Sequence, residues 1–71
     1  MNALEKLGWL KFLNDRWIRY YKGLMEIDIE LTEKEVYFSD NMPNVSFDII
    51  LALAEVIKEI EEEKMKGNEK L

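Results

Sequence analysis

Three carboxylates, Glu26, Asp28 and Glu30, are spaced so that they could do chemistry together. They alternate with apolar residues between Met25 and Leu31, the period-two pattern of a strand with one buried and one solvent-facing side. Side chains two residues apart on a strand face lie about 7 Å apart, a spacing suited to acid–base chemistry or a hard cation such as Mg²⁺ or Ca²⁺. Solvation of an exposed strand face explains the same pattern, and we favour that interpretation.

The other residue types in the sequence offer few catalytic groups. The chain has no histidine and no cysteine, which excludes Ser-His and Cys-His nucleophiles, disulfides and most structural zinc sites. Its three glycines are isolated, so no glycine-rich phosphate loop exists. We therefore expect a protein that is not an enzyme and that carries no metal and no cofactor.

The strand at 25–31 is predicted to form a hairpin with a second strand at 36–38. Pairing Leu31 with Val36 also sets Ile29 opposite Phe38, so that both pairs share one face. An alternative remains for residues 32–38, because Thr32 and Glu35 spell a capping box that could start a short helix. The β-branched and aromatic residues that follow favour the strand.

Residues 2–22 are predicted to form a helix that begins at Asn2 as N-cap and ends at Gly23. Apolar residues recur along it at helical spacing and cover about half of its circumference, more than one core contact requires. The stripe comprises Ala3, Leu7, Leu10, Leu13, Trp17, Tyr21 and Leu24, widened by Trp9, Ile18 and Tyr20.

A second helix is predicted after the loop at 40–44, capped by Ser46 or Asn44. Its first two turns are apolar on nearly every side, which indicates that they are covered from more than one direction. Beyond Ile60 the apolar stripe stops, and the charged residues 61–66 are expected to form a solvated extension. Residues 67–71 are expected to fray.

These elements predict a small α+β domain of α-β-β-α order over residues 1–66, with two helices packed on one face of a β-hairpin. Two strands are not stable alone, and a chain of 71 residues has little interior, so we expect dimerisation to complete the fold. Pairing of two copies along their open strand edges or through the first helix would serve that purpose.

Charge is distributed unevenly along an acidic chain with a net charge of −5. Residues 1–22 carry five basic and two acidic residues, whereas the remainder carries five lysines against thirteen carboxylates. The longest apolar run is far shorter than a membrane span, and no signal sequence is visible, so an intracellular, cytoplasmic protein is expected. The scarcity of Gln, Cys and His beside many Lys and Glu residues is a bias seen in thermophilic proteins.

The excess of apolar and aromatic residues favours a protein interface over every other function. The sequence therefore predicts a small non-catalytic protein-interaction module, such as an accessory subunit, regulator or inhibitor, that forms homodimers or binds another protein. The candidate interface residues are Trp9, Phe12, Trp17, Tyr20, Phe47 and Leu51.

Basic residues on the first predicted helix support an alternative function, nucleic-acid binding by a regulator. Its candidate basic patch comprises Lys11, Arg16, Arg19 and Lys22. Such a patch could grip phosphates while neighbouring aromatic rings stack on bases. Glu5 and Asp15 dilute the charge of this helix, and no nucleic-acid recognition motif accompanies it, so the alternative ranks second. A membrane-surface helix of the same composition ranks lower still, because the core needs its apolar stripe.

Overall fold

The computed structural model describes the backbone of residues 1–69 and the side chains of residues 1–63. A one-turn helix, α1 (Ala3–Lys6), precedes four strands: β1 (Leu10–Leu13), β2 (Trp17–Lys22), β3 (Met25–Glu30) and β4 (Glu35–Phe38). A long helix, α2 (Phe47–Glu69), follows. The strands form one antiparallel sheet in the order β1-β2-β3-β4, so each strand pairs with the one that precedes it in the chain. The α+β class expected from the sequence is confirmed.

The predicted helix over residues 2–22 is wrong beyond its first turn. Asn2 caps α1 as expected, because its side chain accepts a hydrogen bond from the backbone of Glu5 and the Glu5 carboxylate accepts one from Asn2. The chain then turns at Gly8 and continues as β1 and β2. The element order is therefore α-β-β-β-β-α, and the sheet has four strands where the sequence predicted a two-stranded hairpin.

The β2–β3 hairpin accounts for Gly23. Lys22 pairs with Met25, which leaves Gly23 and Leu24 as a two-residue turn, and Gly23 has a φ of 62°. Glycine at the first central position of a two-residue hairpin is typical of the type II′ turn, whose twist matches that of the strands. The glycine predicted to end a helix therefore closes a hairpin.

The predicted β3–β4 hairpin is confirmed in kind but shifted by two residues in register. Ile29 pairs with Val36 and Ile27 with Phe38, so that residues 31–34 form the connection. The Glu30 carboxylate accepts hydrogen bonds from the backbone N–H groups of Thr32 at 2.8 Å and Glu33 at 3.4 Å, which fixes the turn directly after Glu30. A shift of two preserves the faces, so the predicted apolar side of the hairpin remains the buried one.

Alternation along the strands divides the sheet into an inner and an outer face. The inner face packs against α2, whose core-facing residues are Ala52, Leu53 and Val56. Leu4 of α1 and Trp9 complete the same core from one end. The buried inner-face residues are Ile18, Tyr20, Ile27 and Ile29.

Helix α2 begins where the sequence predicted. Ser46 is its cap: its carbonyl accepts a 3.1 Å hydrogen bond from Ile50, and its hydroxyl lies 3.4 Å from the Ile49 nitrogen. Of the tail at 67–71 that was expected to fray, residues 67–69 belong to α2, whereas residues 70 and 71 lie outside the described chain. The domain limits stay a prediction. Within the described residues, no helix is long and apolar enough to cross a membrane.

Candidate interaction surfaces

The outer face of the sheet is one of two surfaces of the described residues on which exposed apolar side chains cluster. Both helices lie on the inner side, so no element of the described chain covers the outer face. Strand register arranges this face in three rows across the sheet. The rows are Phe12–Arg19–Asp28–Tyr37 in the middle, Leu10–Tyr21–Glu26 on one side and Trp17–Glu30–Glu35 on the other.

Arg19 lies at the centre of the outer face and is held from three sides. Its Nε donates a 2.8 Å hydrogen bond to Asp28, and Nη2 lies 3.3 Å from the second oxygen of the same carboxylate. Glu26 lies 3.5 Å from the same Nε. The guanidinium carbon sits 4.5 Å from the centre of the Trp17 ring. The hydrogen bond and charge of Asp28 raise the pKa of Arg19, and Arg19 is thereby a fixed cation that is already paired.

Aromatic side chains surround the ion pair of Arg19 and Asp28. Phe12 lies beside Trp17, with 5.9 Å between the ring centres and a 34° tilt. Leu10, Phe12, Tyr21 and Tyr37 are exposed, and Trp17 is half-buried. Aromatic rings that remain exposed on a sheet face are among the groups that most often anchor protein interfaces.

The second surface lies on the opposite side of the molecule, on the outward side of α2. Phe47 is 82% exposed and Leu51 is 65% exposed, and the exposed residues Ile50 and Ala54 lie on the same helix face. We call these four residues the α2 patch. Leu7, directly after α1, borders Leu51 and extends the apolar surface toward the N-terminus.

The six predicted interface residues are thus divided three ways. Phe12 and Trp17 lie on the outer face, whereas Phe47 and Leu51 lie in the α2 patch. Trp9 and Tyr20 are in the core, with 3% and 1% of their surface exposed, so the structure leaves neither of them on the surface. Helical periodicity over residues 9–22 predicts both at the edge of an apolar helix stripe, whereas the structure buries both.

The predicted basic patch is not assembled, because the helix that would have carried it does not exist. Lys11 lies on the inner-face side of β1, and Arg16 lies in the β1–β2 turn. Arg19 is bound by two carboxylates on the outer face. The Lys22 ammonium donates a 3.0 Å hydrogen bond to the carbonyl of Leu7.

The three carboxylates of the alternating strand, Glu26, Asp28 and Glu30, lie on the outer face. Arg19 contacts Glu26 and Asp28, and the Glu30 carboxylate caps the β3–β4 turn. Among the residues whose side chains are described, no group of three His, Cys, Asp or Glu residues is arranged to hold a metal ion.

A small apolar cavity of about 60 Å³ lies between β4 and α2, lined mainly by Ile29, Leu31, Val36, Ile57 and Ile60. Lys34 and Glu61, 4.0 Å apart, also line it. Pockets that bind metabolites usually enclose about 300–1,000 Å³, so this cavity suits a packing gap better than a small-molecule site.

Comparison with known proteins adds no family to this description. The chain matches no protein-family model, no curated protein and no solved structure.

The residues missed by sequence reasoning are Leu10, Tyr21 and Tyr37, which belong to the outer face. The turn pair Asn14-Asp15 followed by the aromatic and β-branched run at 17–21 is the signal that could have found this face.

Proposed function

We propose that this chain is a small non-catalytic protein-interaction module that binds a partner protein through the outer face of its sheet. One observation carries the proposal: four exposed apolar or aromatic side chains and the half-buried Trp17 share one sheet face that no described element covers. Monomeric proteins rarely leave so many large apolar groups together without using them. Trp, Tyr and Arg, the types enriched at binding hot spots, all occur there.

We further propose that the α2 patch joins two copies into a homodimer. The patch is compact, and an antiparallel crossing near Leu51 and Ala54 would set the large side chain of one copy against the small one of the other. The same crossing would bring Lys58 of each copy near Asp48 of the other, since these exposed residues lie toward opposite ends of the patch. The dimer would leave both outer faces free to bind.

The apolar character of the patch supports an interface of modest strength. Each large side chain that becomes fully buried contributes about 1.5–3 kcal/mol, while association itself costs at least about 4 kcal/mol in lost freedom. We therefore expect a dimer whose population depends on protein concentration.

Nucleic-acid binding, the second function expected from the sequence, gains no support from the arrangement of the residues. The four basic side chains are dispersed, and the outer face carries four carboxylates against Arg19 alone. Phosphates would be repelled there.

The test is the mass in solution, measured by light scattering after size exclusion across a wide concentration range. We expect the wild type to be dimeric at high concentration and Leu51→Glu to be monomeric, because a carboxylate cannot be buried in the apolar contact. The matched variant Tyr37→Ser on the outer face is expected to stay dimeric. Monomeric wild-type protein at all concentrations would refute the dimer.

The same variants then test the binding surface in an affinity capture from native extract. Proteins that are captured by wild type and by Leu51→Glu, but not by the double variant Phe12→Ser/Tyr37→Ser, would be bound through the outer face. Equal capture by all three proteins would contradict the proposed function.

A further inference from the structure

The outer face carries more negative charge than its own residues neutralise. Arg19 is the only basic side chain on it among the described residues, and it is already paired with Asp28 and Glu26. Glu30 and Glu35 face each other directly across β3 and β4, an arrangement that is unfavourable for like charges. The charge of Glu35, with those of Glu30 and Glu33, raises the pKa of Tyr37, which marks the same negative region.

Each carboxylate on β3 stands directly opposite an aromatic ring or the paired arginine. Tyr21 lies across from Glu26, Trp17 across from Glu30 and Tyr37 across from Asp28. Side chains in such cross-strand pairs lie about 5 Å apart. A ring face attracts a cation through its quadrupole, and a carboxylate attracts it by charge and hydrogen bonding, so each pair combines both attractions at one place.

Arg19 shows how this face holds a guanidinium. Its side chain stacks on Trp17 while Asp28 and Glu26 take its hydrogen bonds and charge. The flanking pairs, Tyr21 with Glu26 and Trp17 with Glu30, present the same two kinds of group on either side of Arg19. Each pair shares one group with Arg19, Glu26 or Trp17, and adds one that Arg19 does not contact, Tyr21 or Glu30.

We infer that the outer face binds an extended segment of a partner protein that is rich in arginine and lysine. This inference rests on the proposed function and specifies the chemistry of the partner. The net charge of the face, one arginine against four carboxylates, disfavours a second copy stacked face to face and disfavours a nucleic acid. A basic segment supplies the opposite charge while its aliphatic stems cover the exposed rings.

The spacing of the two flanking pairs sets the expected spacing of the partner's cations. Trp17 and Tyr21 are four residues apart on β2, which corresponds to about 13 Å along a strand. An extended partner segment that runs along β2 would place basic side chains four residues apart over the two pairs.

Nuclear magnetic resonance of the uniformly labelled full chain tests this inference, because the two tryptophans report on opposite sides of the sheet. The probe is a synthetic nine-residue peptide of alternating arginine and serine, titrated at low and at high salt. We expect the indole N–H signal of Trp17 to shift and that of the buried Trp9 to stay in place. A shift of Trp9 alone, or no shift of Trp17, would overturn the inference.

Matched charge variants separate this surface from the general acidity of the chain. Glu30→Gln/Glu35→Gln is expected to weaken peptide binding about fivefold or more, since each exposed ion pair is worth up to about 1 kcal/mol. Glu55→Gln/Glu62→Gln removes the same charge from α2 and is expected to change affinity less than about twofold. Equal losses in the two double variants would show non-specific attraction and would overturn the inference.

An apolar control and a neutral peptide complete the design. Tyr37→Ser is expected to weaken binding, whereas Leu13→Ser, which removes an exposed apolar side chain from the inner-face side of β1, is not. A peptide of alternating leucine and serine that shifts the Trp17 indole signal as strongly as the arginine peptide does would overturn the inference of a basic partner. The proposed interaction surface would still stand. If no peptide shifts Trp17 and the outer-face variants also capture partners normally, both proposals fail.

Discussion

The side-chain amide of Asn2 donates a hydrogen bond of 2.6 Å to the hydroxyl of Tyr20, a residue buried on the inner face of β2. The same asparagine caps α1 through its side-chain oxygen, which accepts the backbone N–H of Glu5 at 2.9 Å. One side chain therefore satisfies a helix terminus and a buried phenol, and it ties the N-terminus to the centre of the sheet.

Replacement of Asn2 by alanine is expected to lower the free energy of unfolding by about 1.5–3 kcal/mol. The loss of a helix cap accounts for about 1 kcal/mol, and a buried hydroxyl left without its partner accounts for a similar or larger share. Urea unfolding followed by circular dichroism measures the change. Asn44→Ala, in the exposed loop before α2, is the control and is expected to change stability by less than about 0.5 kcal/mol.

Stability is expected to decline in alkaline solution because of Tyr20. Burial is the main cause that raises the pKa of Tyr20 above its ordinary value, with smaller contributions from the charges of Glu5 and Glu59 and an opposing one from Asn2. The folded state then holds this proton more tightly than the unfolded state, whose tyrosine titrates near about pH 10. The contribution is therefore fully present below about pH 10 and is lost as the pH rises through the folded-state value.

Urea unfolding of wild type and Tyr20→Phe at several pH values from about 8 upward checks this expectation. Tyr20→Phe should lose stability less steeply above about pH 10 than wild type does. Tyr37 also has a raised pKa, but this side chain is exposed and the main cause of the shift is the charge of Glu35. High salt should therefore screen the contribution of Tyr37 to the alkaline decline. An identical alkaline decline in wild type and Tyr20→Phe at high salt would contradict the assignment to Tyr20.

Sequence pattern predicted the second half of the fold well because that half has one buried and one solvated side. Residues 25–30 alternate strictly between apolar and acidic, and Ser46 precedes a helix with a continuous core stripe. Only the register predicted for the β3–β4 hairpin was wrong. The turn is set by hydrogen bonds from the backbone to the Glu30 carboxylate, and these leave no periodic signal in the sequence.

The sequence pattern of the first half predicted a helix in place of two strands because β1 and β2 carry apolar residues on both faces. Phe12, Trp17 and Tyr21 point outward while Ile18 and Tyr20 point inward, so period-two alternation is lost. Apolar residues on both faces of a strand imitate a broad helical stripe. The feature that makes the outer face a candidate binding surface is thus the same feature that concealed the strands.

Core packing around Ile27 provides a test of the inner face. Ile27 has no exposed surface, and Ile27→Val is expected to lower the free energy of unfolding by about 0.5–1.5 kcal/mol, whereas Ile27→Ala costs about 2–5 kcal/mol. Urea midpoints measure both changes. Leu24, in the β2–β3 turn, is 88% exposed, and Leu24→Ala is the control expected to be close to neutral. A larger loss for Leu24→Ala than for Ile27→Val would contradict the sheet and favour the helix expected from the sequence.

Gly23→Ala tests the backbone conformation of the β2–β3 turn. A Cβ added at Gly23 would meet nothing within 4 Å, so the cost of Gly23→Ala comes entirely from the backbone, whose φ is 62°. A non-glycine residue in the left-handed region costs about 1–2 kcal/mol, and we expect a loss of that size for alanine by urea unfolding. Asparagine tolerates positive φ better, so Gly23→Asn should recover part of the loss. Equal stability of wild type and Gly23→Ala would show that Gly23 does not adopt the turn conformation on which the β2–β3 hairpin depends.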